Sequence, residues 1–192
     1  MTKIYAETNL PTVHGIFRLR AYRSTKTIEP IAMLSGYLDR EKPISVRIHS
    51  SCLTSEVLGS TKCDCKLQLD ASLAYIKEHT GVVIYLQQEG RGIGLSEKVR
   101  VYALQEQGYD TIEANEMLGL PIDARLYDDA ISILLDLGIS KVNLLTNNPD
   151  KINALSQAGI EVVSRTPITT KVDLHAASYM ATKKARMGHL LE

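Results

Sequence analysis

The sequence predicts an α+β (mixed α/β) fold, with N-terminal antiparallel strands followed by alternating helices and strands. Three observations predict it. Before residue 50, apolar and polar residues alternate with period two, the mark of antiparallel strands with one wet face. After residue 65, apolar residues recur at helical spacing in segments closed by Gly108, Gly138 and Gly159. Between those helices lie short continuous apolar runs, Val82 to Leu86 and Val142 to Leu145, which suit buried strands. Strands of both kinds mixed with helices define the class.

The elements follow in order. Val13 to Tyr22 alternates through Val13, Phe17, Leu19 and Ala21, and Ile31 to Leu38 is a second candidate strand. Ile44 to His49 alternates cleanly and is the third. Leu67 to Lys77 reads as a helix with Leu69, Leu73 and Ile76 on one face, ended by Thr80-Gly81. Ser96 to Gln107 is a helix whose apolar face is Val99, Tyr102 and Ala103. Asp128 to Leu137 carries Ile131, Leu134 and Leu135, and Asp150 to Ala158 is a further helix. Ile160 to Val163 is a strand, and Ala177 to Met187 is a closing helix. With no repeat, low-complexity tract or linker, residues 1–192 read as a single domain.

Composition narrows the function classes. The chain has 22 basic and 22 acidic residues, so it lacks the basic excess of a nucleic-acid binder. One Phe and no Trp leave few platforms for stacking bases, although nine Tyr remain. No apolar run approaches the roughly 18 residues that span a bilayer. Met1 to Glu7 holds no secretory h-region, so the expectation is a cytoplasmic protein without a membrane or nucleic-acid partner.

The three cysteines, Cys52, Cys63 and Cys65, all lie in one short segment. An odd number so clustered is a poor disulfide framework and a reasonable metal site. Lys62, Asp64 and Lys66 make the context polar, which favours thiolate ligation over the burial usual for free cysteine. Three thiolates leave one tetrahedral position open, the pattern of a catalytic zinc, which lowers the pKa of water towards ~7. With His49 as a fourth ligand, the same residues would form a closed structural site. Spacing alone separates these readings only weakly.

The surrounding residues carry a resemblance. Arg47-Ile48-His49-Ser50-Ser51-Cys52-Leu53-Thr54, with Lys62-Cys63-Asp64-Cys65, resembles the metal-site signature of the GTP cyclohydrolase II family. Gln87-Gln88-Glu89-Gly90-Arg91-Gly92-Ile93-Gly94-Leu95 looks like that family's glycine-rich segment. The match continues through Tyr102 to Gln105, Gly108 to Thr111, Glu113 to Asn115, Leu144 to Pro149, and Lys183 with Met187 to Leu191.

The resemblance implies a GTP cyclohydrolase II-like fold and a set of roles. It implies that Cys52, Cys63 and Cys65 hold one Zn2+ per subunit. GTP is bound by Arg47, Ile48, His49, Ser50, Ser51, Gln68, Glu89, Gly90, Arg91, Thr111, Thr146 and Lys151. Asp123 is the proton acceptor and Arg125 the residue proposed as nucleophile towards the α-phosphate. Tyr102 assists the ring chemistry, Mg2+ accompanies the triphosphate, and the protein is a homodimer. The implied reaction opens the imidazole ring of GTP at C8 and releases formate and pyrophosphate, at the start of riboflavin biosynthesis.

The residues themselves fit those roles to different degrees. A carboxylate such as Glu89 can accept from the donor edge of guanine. Arg47, Arg91 and Lys151 suit a triphosphate, and glycines permit close backbone approach. The glycine run is neither a Walker loop nor a dinucleotide fingerprint. Without the resemblance, Asp123 and Arg125 read as a capping acid and a surface cation, and Tyr102 as core. Arginine is almost always protonated, which suits Arg125 better as a phosphate clamp. Ser51, Lys66 and Leu126 depart from the family's usual Glu, Gly and Asp. They leave open a relative that stops at the formylated product or acts on another purine, as well as a zinc-stabilised nucleotide-binding module without turnover.

Overall fold

The computed structural model describes residues 2–26 and 28–168. The helix expected over Ala177 to Met187, and Lys183, lie outside them. Seven strands form one sheet in the order β1-β2-β3-β5-β4-β6-β7. They are β1 (Lys3–Thr12), β2 (Gly15–Arg23), β3 (Ile31–Ser35), β4 (Ile44–Ser50), β5 (Gly81–Leu86), β6 (Lys141–Leu145) and β7 (Glu161–Thr166). The helices are α1 (Leu53–Glu56), α2 (Cys65–His79), α3 (Leu95–Glu106), α4 (Thr111–Met117), α5 (Asp128–Asp136) and α6 (Pro149–Gln157). The mixed α/β class is as expected: β1 to β3 and β5 pair antiparallel, while β5, β4, β6 and β7 pair parallel.

Two apolar layers cover the sheet. On one face Ile44, Val46, Ile48, Val82, Ile84 and Leu86 meet Ile133 and Leu134 of α5 and Leu155 of α6. On the other, Phe17, Met33 and Val83 meet Leu73 and Ile76 of α2. Ile84 is fully buried in the first layer. Truncating Ile84 to Ala removes methyl groups that the rigid sheet cannot replace, an expected loss of about 2–5 kcal/mol, read as a lower urea midpoint.

β4 corrects one expectation. Its alternation suggests an antiparallel strand with one wet face, yet it is parallel to both neighbours and is buried except for Ser50. The polar residues Ser45, Arg47 and His49 are buried too; Arg47 and His49 line a polar site rather than meeting solvent.

Helix phase is corrected as well. In α3, Val99 is exposed while Lys98 and Val101 are buried. In α5, Leu135 is exposed and Ile133 faces the core with Leu134. β1 is an addition to the expected strands: none of its residues is buried, so no apolar pattern marks it. α4 is an addition too, although Asp110 and Glu113 form its capping box, with the Asp110 carboxylate accepting from the N–H groups of Ile112 and Glu113. Among the described residues no helix is long and apolar enough to cross a membrane.

Candidate active site

In parallel sheets, ligand crevices lie beyond the carboxyl ends of the strands, where successive connections leave in opposite directions. Here the chain passes from β4 through α2 to β5 on one side, and from β5 to β6 on the other side of β4. The segments just past β4, β5 and β6 contribute Ser51 and Cys52, Gln88 to Arg91, and Thr146 to Asn148 to one pocket.

Arg47, His49, Ser50, Cys63, Cys65, Gln68, Lys98, Tyr102, Arg125 and Lys151 also line it. Most of the residues expected at the site are therefore brought together. Three are not at its wall. Ile48 is core, and its carbonyl accepts from Lys151 Nζ at 2.8 Å. Thr111 is buried in α4 and accepts from Gln105 Nε2 at 2.9 Å. Asp123 stands behind Arg125, accepting from its backbone N–H and its guanidinium. Gln88, Lys98, Asn147 and Asn148 line the pocket without being among the residues the sequence marks for it. For Lys98 the sequence carries no signal, since it sits at an ordinary position in a helix.

The sulfurs of Cys52, Cys63 and Cys65 all lie within 4.8 Å of one another, the one such metal-capable group among the described residues. Cys52 and Cys63 are 3.6 Å apart, sulfur to sulfur. Two thiolates on one tetrahedral zinc, at roughly 2.3 Å each, sit about 3.8 Å apart, so the donor set fits that ion. The thiols interact strongly. Hydrogen bonds from Cys63 and then Cys65 pull the Cys52 thiol down, while contacts with Cys52 and Cys63, and then burial, push Cys65 well up.

The cluster is more buried than its polar sequence context suggests. Asp64 is buried and accepts from Gln68 Nε2 at 2.7 Å. Lys66 turns its ammonium away to Asp70, at 3.0 Å, so this departure from the family pattern does not face the sulfurs.

His49 is not part of the sulfur cluster. Its Nε2 meets Glu56 Oε1 at 2.8 Å, and its Nδ1 lies 3.5 Å from Arg47 Nη2. Burial lowers its pKa, partly offset by the Glu56 hydrogen bond. Glu56 also accepts from the backbone N–H of Cys52 at 3.0 Å and from the Tyr85 hydroxyl at 2.6 Å. One carboxylate thus ties the His49 ring to the cysteine loop.

Several cations line the same pocket. Arg47 is buried and donates to Leu145 O at 3.1 Å and Gln68 Oε1 at 2.8 Å, and burial lowers its pKa to about 10. Lys151 is buried at the start of α6, its pKa held well below the ordinary lysine value by burial and then by Arg47 and Arg125. Burial opposes ionisation of Asp123, but the hydrogen bonds and charge of Arg125 hold its carboxyl below the usual range.

The glycine segment forms a tight left-handed turn, with φ of 60° at both Gly90 and Arg91. A Cβ on Gly92 would come within 2.9 Å of the Ala124 carbonyl, and Ala124 N–H donates to Arg91 O at 2.9 Å. The turn therefore packs directly on the Asp123–Arg125 loop. Tyr102 is partly buried at the pocket rather than in the core, with Lys62 Nζ 4.7 Å from its ring centroid.

Comparison with known proteins gives the family. The model of the family described as GTP cyclohydrolase II matches residues 2–167. A GTP cyclohydrolase-2 of Campylobacter fetus is 48% identical over 96% of this chain and 93% of its own. One of Neisseria gonorrhoeae is 47% identical over 97% and 95%. The riboflavin biosynthesis protein RibBA of Staphylococcus haemolyticus is 47% identical over 98% of this chain, which spans 48% of that longer protein. With the match running through the sulfur cluster, the glycine turn and the cationic wall, the chain belongs to the GTP cyclohydrolase II family and is a hydrolase of that type.

Proposed function

We propose that this enzyme hydrolyses GTP by opening the guanine imidazole ring at C8, releasing formate and pyrophosphate and leaving the diaminopyrimidine nucleotide that begins riboflavin synthesis. The observation that carries the reading is a three-sulfur cluster and several cations lining one pocket. Cys52, Cys63 and Cys65 would hold Zn2+. When bound, the ion supplies Lewis-acid activation of water near neutral pH.

The chain's own residues do the rest. Arg47, Arg91, Arg125 and Lys151 receive the triphosphate, for which convergent cations are the expected binding chemistry. Mg2+ arrives on the triphosphate, which supplies most of its oxygen ligands. Arg125 acts as a clamp on the α-phosphate, and when it turns to phosphate it frees Asp123 to accept a proton. His49 to Ser51, Gln68, Gly90 and Thr146 form the walls around the nucleotide, with Ile48 and Thr111 supporting from behind.

Glu89 meets the donor edge of guanine through one oxygen. Its carboxylate already accepts from Lys98, Gly90 and Leu53, which leaves one of roughly four acceptor sites, on Oε2. Tyr102 supplies a hydroxyl for proton transfer beside the opening ring. The homodimer implied by the resemblance and the cytoplasmic setting expected from the sequence belong to the same proposal.

Incubating the protein with GTP, Mg2+ and Zn2+ while following formate, pyrophosphate and the pyrimidine tests it. Formate and pyrophosphate released one to one with GTP consumed is the expected result. Pyrophosphate with a retained formyl group would assign the shorter reaction, and intact GTP would overturn the proposal.

A further inference from the structure

Lys98 is a buried lysine with no part in the chemistry proposed for GTP. It lies in the first turn of α3, directly after the glycine turn, and its side chain is 10% exposed. An ammonium has three N–H donors. All three are matched: Cys52 Sγ at 3.1 Å, Thr54 Oγ1 at 2.8 Å and Glu89 Oε1 at 2.7 Å. Three acceptors converging on one nitrogen, one of them a carboxylate, are the surroundings of a charged ammonium. The packing is specific, since a Cβ on Gly90 would come within 3.1 Å of Lys98 Cβ.

We propose that Lys98 is a positioning residue that ties the metal-ligating Cys52 to the substrate-facing Glu89 and withdraws electron density from the Cys52 sulfur. The proposal rests on the metal reading of the cluster. Three thiolates around a divalent ion carry one net negative charge, and Lys98 neutralises it from the protein side. A charge-assisted N–H···S bond makes Cys52 a weaker donor, which leaves the ion more electron-poor towards its open position. The same ammonium holds one Glu89 oxygen and leaves the other turned to Leu53 N–H at 2.6 Å. The metal side and the purine side of the pocket are thereby set by one group.

The test uses the full chain loaded with Co2+ in place of Zn2+, in wild type, Lys98→Met and Lys98→Arg. Removing the N–H···S bond raises the energy of the sulfur lone pair, so the thiolate-to-cobalt charge-transfer band of Lys98→Met is expected at longer wavelength. Lys98→Arg, which keeps a cationic donor, is expected to restore part of the shift. With Zn2+, kcat of Lys98→Met is expected to fall about ten- to a hundredfold, the usual effect of losing a group that orients a metal ligand. KM is expected to rise less.

If Lys98→Met does not fold, the cobalt band of Lys98→Arg against wild type decides the matter, since a guanidinium cannot reproduce all three bonds at their lengths. An unchanged band and unchanged kcat in a folded variant overturn the proposal. A wild-type protein that binds no Co2+ with thiolate bands overturns the metal reading beneath it, an outcome distinct from the first.

Discussion

Cys63→Ser is expected to abolish formate release while leaving the fold intact. Cys63 contributes one of the three clustered sulfurs and lies in the loop before α2, outside both apolar layers of the sheet. A serine hydroxyl is a far poorer ligand than a thiolate at neutral pH, so metal content should fall with turnover. The loss should be large because a Lewis acid contributes several kcal/mol of transition-state stabilisation, and each 1.36 kcal/mol is tenfold. A drop of about three orders of magnitude in kcat/KM is the expected scale. Metal analysis, circular dichroism and the formate assay on the same preparation check it. Chelator-treated wild type should lose activity likewise and recover with Zn2+, whereas the variant should not recover. A folded, metal-poor Cys63→Ser protein that retained full turnover would remove the metal from the mechanism.

Lys151→Met is expected to stabilise the free protein while crippling nucleotide binding. The ammonium is buried, held by one hydrogen bond to Ile48 O, and faces Arg47 and Arg125. Its folded-state pKa therefore lies well below that of an unfolded lysine, near 10.4. Between those two values the unfolded chain binds more protons, so stability rises with pH across that window and the buried charge costs stability below it. Methionine fills similar volume without charge. Replacing buried charges by apolar groups of like size gains about 1–4 kcal/mol, less the ~1 kcal/mol of the lost hydrogen bond. A higher melting temperature at neutral pH is the readout.

The same strain is relieved by a polyanion. Binding a triphosphate raises the pKa of Lys151, so binding takes up a fraction of a proton and weakens as pH rises through the free-state value. Titrating GTP into the metal-stripped protein in buffers of different ionisation enthalpy measures that uptake without turnover. In Lys151→Met the Lys151 share of the uptake should vanish. Affinity should drop by about 2–5 kcal/mol, roughly thirtyfold to several thousandfold, as when one side of a buried charge contact is removed. Unchanged GTP affinity would place the phosphates elsewhere.

Elements with strong local signals are legible in the sequence. The apolar runs of β5 and β6 and the glycine-closed helices α3, α5 and α6 fall close to where the pattern puts them. The pattern fails where burial is not the local cause of residue choice. β1 is an edge strand without buried residues, and the polar half of β4 faces a buried site rather than water. Three cysteines in one short segment suggest a candidate metal site, and the motifs around them carry the family.

The sequence by itself determined the class of fold, the sulfur cluster and the resemblance, because each rests on residues close together in the chain. Only the tertiary structure decided how those pieces act on one another. It engaged His49 with Glu56 and away from the sulfurs, placed Lys151 beneath Ile48, and turned Lys66 away towards Asp70. It also drove Lys98 inward onto Cys52, a contact across 46 positions. The physical reason is common to all of them. A buried charge settles where the whole fold supplies its partners, and those partners come from segments that no local pattern connects.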